Sequence, residues 1–226
     1  MLVGIKENIL GYYKEIENDP HGRYRSWEHC YSFFQESHDA RNDKSRDEAT
    51  LHLAFYLASW GMYRPSSRLL QKDFRVHYPI VEEILDNKYS ELWKLDFFEN
   101  RITDPELDLI FQLVHSISQL YREQQISPTA TLVTKILLGT LGCVTAYDEL
   151  FIMGVTYWNQ RLPAEYKPKF PARFSKVSFR GVSDFCRENI DELRQAQAYI
   201  GQHGITYPAM KLADMYFWSL GYQIGR

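Results

Sequence analysis

The stretch TKILLGTLGCVTAYDELF, residues 134–151, places a lysine inside an apolar run and then interrupts that run with two glycines. The apolar residues on either side of Lys135 are typical of a buried helix, and Gly139 and Gly142 allow tight backbone turns. Asp148 follows the turn and stands where another helix could begin. The stretch therefore predicts a buried helix, a turn and a second helix.

Helix signals recur along the rest of the chain. Asp104-Pro105 gives an acidic cap and a proline at the first helical position, and Ser127-Pro128 repeats that signal before the helix that carries Lys135. Residues 48–62 are apolar nearly all round, which predicts a helix at the centre of the core. Further helices are predicted at 2–17, 23–36, 78–87, 89–98, 183–202 and 208–222, with irregular segments at 37–48 and 160–175.

No pair of alternating strands stands out, so we predict an all-α protein with about nine or ten helices. A length of 226 residues suits one large domain. We expect residues 1–226 to form a single all-helical domain whose helices pack as two lobes around a cleft.

Composition and charge limit the class of protein. The net charge of −3 excludes a strongly basic nucleic-acid coat protein, although it allows a local basic face. Apolar stretches are too short or too interrupted to cross a bilayer, so we expect no membrane partner. Aromatic residues make up 15% of the chain, which fits either a thick core or a ligand pocket.

The three cysteines, Cys30, Cys143 and Cys186, lie far apart and form no CxxC motif. A sparse, odd number of cysteines is typical of reduced thiols, so we expect a cytoplasmic protein.

Lys135 and Asp148 are the candidate catalytic residues. Burial favours the neutral form of a lysine, which is a nucleophile able to form a Schiff base, and an aspartate can orient or deprotonate a reacting group. Two structural alternatives remain open. Lys135 could lay its stem over apolar surface with its ammonium in water, and Asp148 could cap the helix of residues 147–153 or pair with a surface charge.

Residues 138–146, LGTLGCVTA, resemble the hairpin of helix-hairpin-helix DNA glycosylases. That hairpin reads leucine, proline, glycine, valine, glycine, two variable residues, threonine and alanine. The matching positions are Leu138, Leu141, Gly142, Thr145 and Ala146.

The hairpin also departs from the family pattern. Gly139 stands where proline is usual, Thr140 replaces the first glycine, and Val144 stands where bifunctional members have a lysine. The family aspartate would fall near Leu162, where no acid has the right spacing.

A second alignment resembles bacterial proteins similar to 8-oxoguanine glycosylases. Those proteins show a serine or threonine followed by lysine, then an apolar helix and a short turn ending in aspartate. The matching residues are Thr134, Lys135, Val144, Thr145 and Asp148, and residues 207–221, with Asp214 and Trp218, resemble the closing helix. The resemblance implies an all-helical, two-lobed DNA-binding fold with a cleft.

Residues 166–183 form the one clear basic segment. Five cations stand in it without an acid before Asp184, and Tyr166, Phe170, Phe174 and Phe179 interleave with them. Cations that neutralise phosphates beside aromatics that stack on bases would suit nucleic acid. The alternative is a proline-rich connector whose aromatics are buried and whose charges face water. The cations are Lys167, Lys169, Arg173, Lys176 and Arg180.

Residues 59–72, SWGMYRPSSRLLQK, form a second unusual segment. Trp60, Tyr63 and Arg64 could line a pocket, and the serines at 66 and 67 could hold a phosphate through hydroxyl and N–H groups. The alternative is that these serines cap a helix and Trp60 belongs to the core. Trp218, near the C-terminus, is a further candidate pocket residue.

His29, Cys30 and His52 have the atom types of a metal site. They show neither an i, i+4 pair nor an HExxH motif, so we predict no metal and no cofactor.

The leading hypothesis is a DNA-binding protein that resembles base-excision glycosylases. Thr140, Gly142 and Thr145 in the turn would hold a backbone phosphate, a modified base would be extruded into an aromatic pocket, and Lys135 or Asp148 would act at the sugar C1′. Two other hypotheses stay open. One is a non-catalytic helical interaction module, which the departures at Thr140 and Val144 favour; the other is a small-ligand-binding helical protein.

Overall fold

The fold was analysed in a computed structural model that describes residues 4–39, 42–161 and 170–225. These residues form ten α-helices and four short 3₁₀ helices, with no strand among them, which confirms the all-α prediction. The α-helices are α1 (Ile5–Asn18), α2 (Arg25–Ser37), α3 (Asp43–Ser59), α4 (Tyr78–Ile84), α5 (Asp104–Glu123), α6 (Ala130–Gly139), α7 (Glu149–Arg161), α8 (Lys176–Glu188), α9 (Ile190–Gly201) and α10 (Ala209–Ile224). The 3₁₀ helices span Pro65–Ser67, Leu69–Gln71, Phe74–His77 and Asn87–Lys94.

The chain divides into two compact units. The first unit comprises Met1–Pro20, Asp96–Thr103 and Val144–Arg226, and the second comprises His21–Leu95 and Asp104–Cys143. The boundary between the units falls inside the predicted hairpin segment, after Cys143. The expected cleft between two lobes stays a prediction.

In the first unit, the central packing is that of α7 against α10. A Cβ added to Gly154 would lie 1.8 Å from the carbonyl oxygen of Phe217, and one added to Gly221 would lie 1.9 Å from that of Leu150. These two glycines therefore allow the two backbones to approach more closely than any larger residue would permit. The rings of Phe217 and Trp158, 5.8 Å apart, fill the space beside this contact.

In the second unit, α3 and α6 pack closely through an aromatic ring. A Cβ at Gly139 would lie 2.4 Å from the ring of Tyr56. Trp27 of α2 donates from its indole N–H to the carbonyl oxygen of Leu138 at 2.9 Å. Gly139 is the last residue of α6, so the prediction of a turn at this glycine is wrong. The position takes a glycine because the Tyr56 ring occupies the space of a side chain. Gly142 is the turn glycine, with a φ of 67°.

Helix α3 differs from its prediction in the residue at which it begins and in how much of its surface is buried. It begins at Asp43 because the side chain of Asn42 accepts the Ser45 N–H at 2.9 Å, so the predicted loop up to residue 48 is too long. Leu51 and Phe55 are 48% and 66% exposed, so α3 is not buried all round.

Other helices also begin or end at residues that differ from the prediction, because local capping contacts determine their bounds. The helix predicted at 183–202 is two helices, α8 and α9, which meet at Asn189. The cap of α6 is Thr129, whose side chain accepts the Leu132 N–H, and it is not Ser127. After Pro65 the chain forms only short 3₁₀ turns instead of the predicted helix.

Over the described ranges, no helix has both the length and the apolar character needed to span a membrane.

The glycine contact between α7 and α10 yields the first prediction. Gly154→Ala is expected to lower the free energy of unfolding by about 1–3 kcal/mol or more, because the added methyl group overlaps the Phe217 carbonyl. Gly11→Ala in α1 is the control, since a Cβ there meets nothing within 4 Å. It should raise the free energy of unfolding by about 1 kcal/mol, as alanine does at an open helical position. Urea denaturation measures both, and equal effects of the two substitutions would contradict the packing argument.

Candidate functional site

Lys135 is buried in the second unit beside Trp60. Its residue surface is 3% exposed, and its Nζ lies 4.7 Å from the centroid of the Trp60 ring. Because so little of the residue reaches solvent, the alternative in which its ammonium lies in open water is wrong. A desolvated cation–π contact of this kind contributes about 2 kcal/mol.

A second cation and a second ring complete this group, which we term the Trp60 cluster (Arg23, Tyr24, Trp60 and Lys135). The guanidinium carbon of Arg23 lies 5.2 Å from the Tyr24 ring and 5.8 Å from the Trp60 ring. The centroids of the two rings are 5.4 Å apart, and both residues are half-buried. The cluster therefore combines partly exposed aromatic surface with a buried amine.

Asp148 lies in the first unit, where it caps α7. Its Oδ1 accepts the N–H of Phe151 at 3.1 Å, and its backbone oxygen accepts the N–H of Ile152. The structural alternative of a helix cap is confirmed by this geometry.

The segment that resembles the glycosylase hairpin is buried along its whole length. The hydroxyl of Thr140 donates to the Ile136 carbonyl oxygen at 2.8 Å, and the N–H of Gly142 donates to the Leu137 carbonyl oxygen at 2.9 Å. Thr145 is 1% exposed. The groups predicted to hold a phosphate thus lie inside the protein, and phosphate contact by this turn stays a prediction.

The two residues of the resembling C-terminal helix are buried in the first unit, Asp214 in a polar group and Trp218 among aromatic rings. Asp214 accepts the N–H of Ala146 at 2.9 Å, and its other oxygen lies 3.5 Å from Nζ of Lys211. The ring of Trp218 packs edge-on against Tyr12, with 5.2 Å between the centroids. These contacts hold the chain that leaves the turn against α10.

The basic segment separates its aromatic residues from its charges. Phe170 and Phe179 are each 1% exposed, and the ring of Phe174 lies 4.9 Å from that of Tyr147. The described aromatics therefore pack in the core, as the connector alternative expects, and Phe170 and Phe179 do not offer stacking surface. Arg173 and Lys176 are exposed and Arg180 is half-buried, whereas Tyr166, Lys167 and Lys169 lie outside the described residues.

Helix α8 begins inside this basic segment, which the sequence analysis did not anticipate. The side chain of Ser175 caps it by accepting the Ser178 N–H. The hydroxyl of Ser178 donates to the Tyr147 hydroxyl at 2.9 Å, which fixes the helix to the core of the first unit. Lys176 and Arg180 are therefore one helical turn apart on α8.

The four predicted pocket residues do not belong to one unit. Trp60, Tyr63 and Arg64 lie in the second unit and Trp218 lies in the first. Arg64 lines a cavity of about 230 Å³ in the second unit together with Ser66 and Ser67. Trp60, Tyr63 and Trp218 do not line it.

Tyr63 belongs to a buried network that the sequence analysis missed. Its hydroxyl lies 2.9 Å from Nε2 of His77, and Nδ1 of the same ring lies 2.6 Å from the Tyr121 hydroxyl. Burial lowers the pKa of His77 to about 3 and raises the pKa of Tyr63 to about 12. A neutral imidazole donates one hydrogen bond and accepts the other, so it satisfies both phenols.

No protein-family model, curated protein or solved structure matches this chain.

Metal-binding side chains do not converge in the part of the chain that the structure describes: no three of its His, Cys, Asp and Glu residues are grouped as ligands. All three cysteines are free and buried. Burial raises the pKa of the Cys143 thiol to about 12 and also raises those of Cys30 and Cys186, so none of them is poised as a thiolate.

Asp148 can be tested with a pair of substitutions that separates capping from charge. Asp148→Ala is expected to lower the free energy of unfolding by about 0.5–2 kcal/mol, because the α7 cap is lost, whereas Asp148→Asn keeps the cap and much of the stability. Ser175→Ala, which removes the α8 cap in the same unit, gives the scale for comparison. Asparagine and alanine variants of equal stability would show that the cap is not what Asp148 contributes.

His77 makes the stability of the protein depend on pH. The pKa is 6.5 for an ordinary histidine and about 3 in the fold, so the unfolded chain binds the proton more tightly. The contribution of neutral His77 is complete above about pH 6.5 and is lost as the pH falls towards 3, by up to about 1.4 kcal/mol per pH unit. Unfolding measured from pH 7 to pH 4 should show this slope in the wild type and in His21→Gln, an exposed control. An unchanged slope in His77→Gln would contradict the assignment.

Proposed function

We propose that the protein binds DNA and removes a modified base that is extruded from the helix, as the glycosylases that it resembles do. The observation that carries the proposal is the Trp60 cluster, in which a buried lysine amine adjoins the half-buried Trp60 ring, and that ring lies beside the half-buried Tyr24 ring. Extruded bases are held by stacking on aromatic side chains, and Tyr24 and Trp60 would offer that surface. Lys135 is then the residue nearest to the sugar of the extruded nucleotide.

The chemistry requires the neutral amine of Lys135. Its lone pair forms a bond to C1′ as the bond from C1′ to the base nitrogen breaks. The base leaves with the bonding electron pair and takes up the proton that the amine nitrogen loses. The nitrogen then expels O4′, which takes a proton from water, and the product is a protonated imine. Hydrolysis of the imine by water returns the amine and an abasic sugar.

Asp148 supports a hydrolytic form of the same reaction. If water rather than an amine attacks C1′, positive charge develops on the sugar as the base leaves, and a carboxylate stabilises that charge. The cap at Oδ1 holds the Asp148 side chain in a fixed orientation. The two forms differ in one product, because only attack by Lys135 gives a covalent imine.

The exposed cations Arg173 and Lys176 would supply contacts to the phosphate backbone. They belong to the most basic segment of a chain whose net charge is −3, so binding should weaken with salt.

A specific observation favours the second candidate, a non-catalytic helical interaction module. Thr140 and Gly142 hydrogen-bond within their own unit, and Asp148 caps a helix, so these residues have structural roles without any ligand. In that case substitution of Lys135 changes stability alone.

Chemical trapping separates the two candidates. Wild-type protein is incubated with duplexes that each carry one modified base, 8-oxoguanine among them, in the presence of borohydride, which reduces an imine to a stable adduct. We expect an adduct with the wild type and with Lys72→Met, an exposed control, and none with Lys135→Met. Methionine keeps an unbranched stem on the Trp60 ring, so the melting temperature should hold.

The hydrolytic form predicts another pattern: base release without an adduct, which Asp148→Asn abolishes and Lys135→Met does not. Absence of DNA binding at ~50 mM salt, where phosphate contacts are strong, would overturn the proposal in both forms and leave the interaction module.

A further inference from the structure

The cavity lined by Arg64 adjoins the Trp60 cluster along the chain and has apolar lining from Met62 and Leu132 as well as polar lining. Its volume of about 230 Å³ is several times the roughly 30 Å³ that one water molecule occupies, so a phosphate group can enter it. Its polar lining comes from Arg64, Ser66, Ser67, Thr129 and Thr131. Among the described residues no aspartate or glutamate lines it, and the charge of Arg64 favours an anion there.

Arg64 is the cation of this cavity, and its position is partly fixed. Its Nε donates to the Gly61 carbonyl oxygen at 2.5 Å, which anchors the guanidinium at the turn after α3. Within the described ranges, no hydrogen bond or ion pair engages its two terminal nitrogens, and the residue is exposed. A guanidinium held in this way can donate two parallel hydrogen bonds to two oxygens of one phosphate.

The hydroxyl groups have different tasks. Ser66 is exposed and its hydroxyl is available to a ligand, whereas the Ser67 hydroxyl bonds to the Met62 carbonyl oxygen and shapes the loop. Thr129 caps α6 by accepting the Leu132 N–H. The protein therefore closes this helix end with its own cap, and the helix terminus does not contribute to ligand binding. The groups left to hold a ligand are the Arg64 guanidinium and the Ser66 hydroxyl at the cavity.

The cavity lies one helical turn from Lys135. Thr131, which lines the cavity, and Lys135 are four residues apart on α6. They therefore share a face of the helix, with about 5–6 Å between their Cβ atoms. On the facing segment, Trp60 of the cluster precedes the cavity residues Met62 and Arg64.

We infer that this cavity binds one phosphodiester of the DNA strand whose extruded nucleotide reaches Lys135, and so sets the register of that strand. The inference rests on the proposed function and adds to it a strand contact that places the sugar. A phosphodiester, with two non-bridging oxygens, fits a bidentate arginine and one serine hydroxyl.

The test combines the Arg64→Gln substitution with the neutralisation of single DNA phosphates and measures the affinity for DNA. Duplexes carrying a tetrahydrofuran abasic analogue are made with one neutral methylphosphonate at each position in turn around that site. Wild-type affinity is expected to fall about tenfold at one position, the scale of a hydrogen bond to a charged group. Arg64→Gln should bind the unmodified duplex about tenfold more weakly and show no further loss at that position.

Salt dependence gives a second readout. The slope of log affinity against log salt should decrease in magnitude by about 1 in Arg64→Gln, as expected for the loss of one phosphate contact. Lys72→Gln removes the same charge from an exposed residue outside the cavity and should keep the full methylphosphonate effect. Both substituted side chains are exposed, and equal melting temperatures confirm folding.

The outcomes distinguish this inference from the proposed function. If Arg64→Gln loses as much affinity as the wild type at every methylphosphonate position, the cavity does not hold a strand phosphate, and trapping at Lys135 still stands by itself. If a free mononucleotide raises the melting temperature of the wild type but not of Arg64→Gln, while no methylphosphonate position is coupled to Arg64, the ligand is a nucleotide and the strand contact is wrong. If the wild type binds no DNA, the proposed function fails, and the strand contact fails with it.

Discussion

The contact between the Lys135 amine and the Trp60 ring is the constraint on which the organisation of the second unit depends. Moving an ammonium group out of water costs several kcal/mol, and the contact with the ring offsets part of that cost. An apolar side chain of similar volume would often be as stable or more stable at such a position. A lysine at this buried position is therefore the residue of the second unit for which we propose a chemical role.

The same contact fixes the geometry on either side of it. Trp60 ends α3, and the chain then turns at Gly61, whose φ of 69° favours glycine. That turn presents the Gly61 carbonyl oxygen to Arg64 and so orients the guanidinium at the cavity. A buried amine, an aromatic surface and an anchored cation thus follow from one short segment packed on α6.

Helical periodicity was sufficient to predict the class of fold and most helices, because α5 and α10 bury one face or nearly all of their surface. The ends of helices were less predictable where a single side chain decides them, as Asn42 does for α3 and Thr129 does for α6. Gly139 was interpreted as a turn residue because the sequence cannot show the Tyr56 ring that packs against it. His77 gave no local signal, since its partners lie 14 and 44 residues away.

The basic segment shows why residue type alone does not define a binding surface. Its aromatic and basic residues alternate in sequence, which favoured stacking on bases. In the fold, Phe170 and Phe179 pack in the core, and Ser178 and Tyr147 hold α8 in place. Among the described residues of this segment, the cations Arg173, Lys176 and Arg180 can neutralise phosphates, whereas Phe170 and Phe179 offer no surface for stacking on a base.

The turn after α6 shows that the residue pattern of a phosphate site is also not enough to define one. A backbone N–H can hold a phosphate only if it is not already donating, and the Gly142 N–H donates to Leu137. The Thr140 hydroxyl is committed in the same way to Ile136. The departures from the hairpin pattern at Thr140 and Val144 are therefore accompanied by a turn whose donors are satisfied internally. If the second unit holds a DNA strand close to Lys135, Arg64 and Ser66, in the segment after α3, supply donors for its phosphate. The phosphate contact is then made by side chains of that segment, and the turn at the end of α6 serves to pack the protein.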